Sequence, residues 1–175
     1  ARHMELWDAY TRDEVRTGKT LVRDEPIPDG LYHLVSEILV RHTDGTFLLM
    51  QRDPAKKAYP GCWEATAGGS ALVGETAIDC AKRELREETG IASGVFTEIA
   101  RQVVEPIHTL YHTYLCVTAA EKDSIRLQQG ETVSYRWLDA AAFRVFLMSG
   151  QAIDHQVRRM TPFFRTLFPD IALPY

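Results

Sequence analysis

Cysteine is scarce in this chain, with three residues among 175, and none of them falls in a CxxC or Cys/His spacing. Cys62, Cys80 and Cys116 thus argue against a disulfide framework and a cysteine-based zinc site; each reads as a small buried hydrophobe in a reducing compartment. An excess of one charge is missing too. The formal net charge is -4, which gives no general attraction to nucleic acid or to an anionic membrane surface. No apolar run approaches the ~18 residues needed to span a bilayer, and no signal-peptide pattern opens the chain. Repeats, low-complexity tracts and linkers are also absent. The expectation is a cytoplasmic protein without a membrane or nucleic-acid partner, its oligomeric state open, a homodimer included.

What is present is ordinary globular material. An apolar content of 45% supports one domain over residues 4–175 with a sizeable core, and Ala1-Arg2-His3 before Met4 reads as a leftover of expression. Tyr32 to Arg41 and Thr46 to Gln51 flank the turn Thr43-Asp44-Gly45 and predict a hairpin. Asp53 to Gly61 has loop chemistry. Thr76 to Glu88 reads as a helix closed by Gly90 in the left-handed position. Phe96 to Val104, Thr109 to Thr118 and Thr132 to Leu138 are strand candidates, and Ala140 to Phe168 is helical with a break near Ser149-Gly150. Strands around one central helix, with helices at the end, suggest an α/β fold in which helices cover a mixed sheet.

The central helix carries an anomaly. Spacing its residues at about 100° with Ala77 at zero puts Ala81, Leu85 and Ile78 on an apolar stripe and Lys82, Arg86 and Asp79 on the wet face. Glu84 and Glu88 then fall at about -20° and +20°, beside the core. As bare carboxylates they repel by ~0.2–0.5 kcal/mol, and both sit near the negative end of the helix dipole, at a cost of ~0.3–1 kcal/mol each. Leaning toward the core makes an unpaired carboxylate costlier still. A divalent cation removes all three penalties, and oxygen ligands on one helix face suit Mg2+ or Mn2+ completed by substrate phosphates. The alternative is a solvated face with Arg83 and Glu87 as an i,i+4 pair.

The segment from Gly69 to Ile91 resembles the Nudix box: Gly69, Glu75, Arg83, Glu84, Leu85, Glu87, Glu88, Gly90 and Ile91 fill its fixed positions. The resemblance implies the Nudix fold, a mixed sheet between helices. It implies metal-assisted hydrolysis of a diphosphate linkage in a nucleoside diphosphate derivative or a similar small molecule. Glu84, Glu87 and Glu88 then look like metal ligands, with the Gly68 carbonyl beside them; Arg83 looks like the residue that orients a carboxylate, and Glu75 supports it. The cation neutralises non-bridging oxygens and lowers the pKa of a bound water. The general base stays open among Glu88 or Glu87 in the box, Glu131 before the last strand, and Glu105 beside Pro106. Glu131 reads equally well as a turn residue after Gly130.

Outside the box the chain is similar to the isopentenyl-diphosphate isomerase branch, through Gln51-Arg52, Lys56-Lys57 and Tyr59-Pro60-Gly61 followed by Trp63. That likeness makes Arg52, Lys56 and Lys57 candidate diphosphate contacts, against a reading as a solvated loop. The departures are as informative. Those isomerases carry a catalytic cysteine just before the position of Gly69 and a histidine just after it, where this chain has Gly68 and Ser70. Cys62 lies too early to substitute. His33 matches an isomerase metal histidine but reads as a hairpin residue. The isomerase glutamates after Pro106 are replaced by HTLYHTYL, and His108 and His112, too far apart along a strand to share a metal readily, read as pocket-lining or surface residues. Carbon acid/base chemistry thereby loses its groups, and hydrolysis is expected. A catalytically silent ligand sensor and an RNA-processing enzyme are the other readings; the complete box opposes the first, and scattered basic residues oppose the second. Trp7, Trp63 and Trp137 are assigned to packing, with Tyr32 and Tyr111 kept as candidates to stack on a base, and Phe163 and Phe164 are expected to close the core.

Overall fold

The computed structural model describes residues 4–174, so the Ala1-Arg2-His3 segment lies outside the described residues. Two antiparallel strands open the chain, β1 (Leu6–Tyr10) and β2 (Arg16–Val22). They are followed by β3 (His33–His42), β4 (Phe47–Arg52), β5 (Trp63–Glu64) and β6 (Thr66–Ser70), and then by α1 (Ala77–Thr89). Strands β7 (Val95–Val104), β8 (Thr109–Thr118) and β9 (Thr132–Leu138) precede α2 (Ala140–Met148), α3 (Asp154–Arg159) and α4 (Thr161–Leu167).

The larger sheet runs β5-β4-β3-β8-β7, with β6 also paired to β3 and β9 to β4. Its β3·β8 pair is parallel and its other ladders are antiparallel, so the sheet is mixed. Alternation along the central strands feeds two cores. Ile38, Val40, Leu48 and Met50 pack with Ala81 and Leu85 of α1. Leu39, Phe47 and Leu49 point the other way, into Phe143, Leu147, Val157, Met160 and Phe164 of the terminal helices. Helices on both faces of a mixed sheet give the expected α/β sandwich. No helix among the described residues is long and apolar enough to cross a membrane.

Local chemistry fixes α1. The Thr76 hydroxyl accepts from the Asp79 amide at 3.2 Å while the Asp79 carboxylate accepts from the Thr76 amide, a reciprocal cap of two orphan donors. At the other end Gly90 takes φ +80 and donates to the Arg86 carbonyl, which ends the helix where the glycine predicts.

The expected hairpin of β3 and β4 is real but short. Only Arg41 and Phe47 pair across it, because the strands diverge to receive others: β6 along Val35 to Leu39, and β9 along Phe47 to Arg52. Glu37 is thereby set opposite Gly68 in the β3·β6 ladder. The spacing of His108 and His112 along one strand does not hold either. His108 has φ +49 and closes a 3-10 turn over Glu105–Ile107, before β8 begins, whereas His112 is buried within β8. His112 bonds to Glu14 and faces Glu98 at 3.5 Å, so it is neither a surface nor a pocket residue.

Candidate functional site

The face of α1 that meets β6 carries the box. Cys80, Ala81, Leu85 and Thr89 are buried, Asp79, Lys82 and Arg86 are exposed, and Glu84 and Glu88 lie between, as the helical projection requires. Two glycines let this face approach the sheet. A side chain on Gly68, which sits at φ +156, would collide with the Ser36 carbonyl oxygen on β3. A Cβ on Gly69 would stand 2.5 Å from Oε1 of Glu84. Backbone without side chains therefore forms the wall opposite the helix glutamates.

Arg83 organises the array. Its Nε and Nη2 donate to the two oxygens of Glu75 at 2.7 and 2.9 Å, its Nη1 to Glu84 at 2.9 Å and Glu87 at 3.2 Å, and its Nη2 also to the Ser70 carbonyl at 3.1 Å. Burial pushes Glu75 upward, but the bonds from Arg83 and from the Leu72 amide outweigh it and hold its pKa below the ordinary carboxylate value. Glu84 moves the other way, raised by desolvation despite Arg83. Glu88 stands apart. Its Oε2 accepts from the Gly68 amide at 3.1 Å, and its pKa lies well above the ordinary range because it is desolvated and faces Glu84.

These groups line a cleft of about 420 Å³. Arg52 enters from the end of β4, bonded to Glu64 at 2.6 Å and to the Ala58 carbonyl at 2.9 Å. Lys56 enters from the following loop and pairs with Glu131, whose backbone carbonyl accepts from the Asp53 amide at 2.9 Å. On the far side Arg159 of α3 forks onto Glu37 at 2.6 and 2.9 Å, with both side chains 8% exposed, and lies 3.9 Å from the Tyr111 ring centroid. Arg23 and Glu5, paired at 2.6 Å, close the edge next to the β1/β2 hairpin. Every Lys and Arg of the cleft is thus bonded to a carboxylate. Among the described residues, Glu88 is the cleft carboxylate without a cation partner.

A family profile described as NUDIX domain matches residues 31–160. The chain belongs to the Nudix hydrolase family. It is 30% identical to an uncharacterized Nudix hydrolase of Listeria monocytogenes over 87% of this chain and 90% of that protein. It is 26% identical to an isopentenyl-diphosphate Delta-isomerase of Shigella flexneri over 65% of each chain, in keeping with the expected branch. A crystal structure from Deinococcus radiodurans superposes with a TM-score of 0.68 at 20% identity, covering 89% of this chain and 99% of the other, which shows the fold.

Within this Nudix cleft the structure brings together Gly68, Arg83, Glu84, Glu87, Glu88, Arg52, Lys56 and Glu131. Lys57 and Glu105 are not with them. Lys57 is exposed and is not one of the cleft-lining residues, since the loop turns one lysine inward and its neighbour out. Glu105 is held by Arg12 and Tyr32, also away from the cleft, so it has no base role here. His33 stacks on Trp7 at 4.4 Å and has Thr109 and Ser70 hydroxyls on its two nitrogens, which leaves neither free for a metal. Tyr111 lines the cleft, while Tyr32 is buried elsewhere.

Sequence reasoning missed Glu37, Glu64, Arg159, Arg23 and Glu5. Glu37 did leave a signal, as a charge midway along the mostly apolar stretch Leu34 to Val40. Arg159 left none, because its partner lies 122 positions away.

The donor chemistry fits a hard divalent cation: Glu84, Glu87 and Glu88 of α1 face the Gly68 backbone across one cleft, and Glu88, a desolvated carboxylate, has no cation partner. Among the described residues, however, no three acidic, histidine or cysteine groups are closed around a common point, since Arg83 holds Glu84 and Glu87. A cation would draw these carboxylates away from Arg83.

Proposed function

We propose that this protein is a pyrophosphohydrolase that uses Mg2+ or Mn2+ to hydrolyse the diphosphate linkage of a nucleoside diphosphate derivative or a similar small molecule in the cytoplasm. The observation that carries the reading is Glu88, a desolvated carboxylate without a cation partner, beside an arginine-organised pair of glutamates and a glycine wall.

Glu84, Glu87, Glu88 and the Gly68 carbonyl would hold the cation, which supplies charge neutralisation on the phosphates and acidifies water. Arg52 and Lys56 receive the diphosphate by charge-assisted bonds. When Lys56 turns to a phosphate, its present partner Glu131 becomes a free carboxylate in the cleft, placed to accept the proton of the attacking water. Glu88 is the second candidate for that proton. Arg83 bridges Glu84 and Glu87 and offsets their mutual repulsion. Tyr111 and Arg159 form the wall that meets whatever the diphosphate carries. The three free thiols support a reducing compartment.

The isomerase alternative lacks its groups. No thiol lines the cleft, and burial pushes the Cys80 thiol up to about 12, with its Sγ on the Gly69 carbonyl. The discriminating experiment incubates the protein with Mg2+ or Mn2+ and nucleoside triphosphates, nucleotide sugars, ADP-ribose, dinucleotides and isoprenoid diphosphates, beside Glu88→Gln and Glu131→Gln. Metal-dependent release of a phosphate product, lost in Glu88→Gln, is expected. Failure to cleave any of these, or conversion of isopentenyl diphosphate to its isomer, refutes the proposal. A pH-rate profile of Glu131→Gln that loses its acidic limb assigns Glu131 as the base, and one that keeps the limb removes Glu131 from that role.

A further inference from the structure

The β1/β2 hairpin precedes residue 31, where the family match begins, yet two of its connections end on Arg83. The first runs through the turn that delivers Glu75. Asp8 Oδ2 accepts from the Gly74 amide at 2.8 Å, Arg16 Nη2 donates to the Glu75 carbonyl at 2.7 Å, and the Leu6 carbonyl accepts from the Val73 amide at 3.1 Å. Asp8 and Arg16 also face each other at 3.5 Å, so the turn is gripped by a coupled pair. The gripped residue is the one whose side chain holds the Arg83 fork. The second connection is made of stacked and bonded rings. Trp7, 8% exposed, stacks on His33, whose Nδ1 lies 3.3 Å from the Ser70 hydroxyl, and the Ser70 carbonyl accepts from Arg83.

Gly74, at the centre of the gripped turn, has φ +85, and a side chain added there would meet nothing within 4 Å. The hairpin therefore holds this turn in two ways: its hydrogen bonds fix the backbone of Gly74 and Glu75, and Leu72 packs on Trp7, Ala9 and Leu21. Because the Arg83 side chain fans out to Glu75, Glu84 and Glu87 together, a shift of Glu75 reorients the whole guanidinium and with it two of the three candidate ligand glutamates.

We infer that the N-terminal hairpin is part of the hydrolytic site: Asp8 and Arg16 are positioning residues that fix the Gly74-Glu75 turn, and through Arg83 they set the affinity of the glutamates for the divalent cation. This rests on the cation site proposed above. Arg83 has the outer role of a hydrogen-bond partner of metal ligands, whose loss typically weakens metal binding by about 10–100-fold, and Asp8 and Arg16 act one step further out, with a smaller effect.

The test titrates the full-length protein with Mn2+ alone, following free Mn2+ by electron paramagnetic resonance, for the wild type, Arg16→Met, Arg16→Lys, Asp8→Asn, Glu14→Gln and Glu88→Gln. Arg16→Met and Asp8→Asn are expected to raise the Mn2+ dissociation constant by about threefold or more, short of the about tenfold loss typical of direct partners of the ligands. Arg16→Lys, which keeps one donor for the Glu75 carbonyl, should recover most of the affinity. Glu14→Gln disturbs the hairpin tip, where Glu14 meets His112 and Arg101, and should bind as the wild type does. The inference is overturned if Arg16→Met and Asp8→Asn both bind Mn2+ normally while Glu88→Gln does not. It is equally overturned if Glu14→Gln weakens binding as much as they do, since any loosening of the hairpin would then suffice. A wild type that does not bind Mn2+, with Glu88→Gln indistinguishable from it, would sink the cation site itself and this inference with it. Melting temperatures in EDTA identify a variant that has lost its fold, and Asp8→Asn, which keeps the shape of the side chain, then decides.

Discussion

Replacing Glu88 by glutamine separates stability from function. The amide keeps the volume of the side chain and an oxygen to accept from the Gly68 amide. It removes the i,i+4 repulsion from Glu84, ~0.2–0.5 kcal/mol, and the unfavourable placement near the helix C-terminus, ~0.3–1 kcal/mol. Against this, the bond from Gly68 changes from charge-assisted to neutral, a loss of about 1 kcal/mol. Desolvation, the first cause of the raised pKa of Glu88, decides the sign, because the amide carries no charge to desolvate. Metal-free Glu88→Gln is therefore expected to exceed the wild type by about 1 kcal/mol at pH 8, or about 2–4 °C in melting temperature for a chain of this size. The pH dependence follows from linkage. A carboxylate with a raised folded-state pKa favours folding below its unfolded value, near 4.3, and that contribution is lost as the pH rises toward the folded value. The advantage of the variant should consequently vanish near pH 4 and grow as the pH increases. Saturating Mg2+ should reverse the order, since a ligand at about 100 times its dissociation constant adds about 2.7 kcal/mol to the protein that binds it. Thermal melts in EDTA and in Mg2+ at several pH values check this. A variant less stable than the wild type in EDTA at pH 8 would refute the claim that this carboxylate is held at a cost for the sake of a cation.

Gly69→Ala should fold, because its new methyl meets the flexible end of Glu84 rather than backbone, yet lose metal-dependent activity by about tenfold or more, as disturbed metal sites do; retained activity with a displaced Glu84 would contradict the site. Lys56→Met should raise KM for a diphosphate substrate about tenfold, the worth of one charge-assisted bond, while Lys57→Met changes it less than about twofold, and equal effects in steady-state kinetics would show that the loop is read wrongly. A thiol-reactive dye at pH 8 should label Cys62 first, because burial raises the Cys80 thiol to about 12 and the Cys116 thiol to about 11; fast labelling of all three in the folded state would contradict the packing.

The difference between what the sequence made legible and what it hid is the range of the interaction. Thr76, Asp79, Leu85 and Gly90 state their roles within one helix, so α1, its ends and the face bearing Glu84 and Glu88 were readable from spacing alone. β8 and β9 likewise match their expected bounds. β6 did not read as a strand, since Thr66-Ala67-Gly68-Gly69-Ser70 has one β-branched side chain and two glycines; its glycines are there to clear Ser36 and Glu84, partners that only the fold brings near. The β1/β2 hairpin escaped for a similar reason. Most of β2 is exposed and polar, and what it does is visible only at its distant partners, Gly74 and Glu75. Glu37 and Arg159 are the extreme case, a buried pair between the central strand and a terminal helix whose pairing no local pattern announces, although Glu37 alone stands out in its strand.

The pairing of cleft charges also bears on how cation and diphosphate would meet. Arg52 and Lys56 already have carboxylates, so a diphosphate that takes them releases Glu64 and Glu131 into the same small space. Released carboxylates beside phosphate oxygens repel strongly in a partly desolvated cleft, and Glu64 is already pushed upward by burial. A divalent cation offsets that repulsion, and its own ligands need it most when Arg83 alone must serve Glu75, Glu84 and Glu87. With seven glutamates lining it against five Lys and Arg, the cleft is negative without ligands, so under the proposed function it would resist a lone diphosphate and accept one accompanied by its metal. Coupling of this kind is reciprocal: whatever the diphosphate gains from the cation at Glu88, the cation gains from the diphosphate at Arg52 and Lys56.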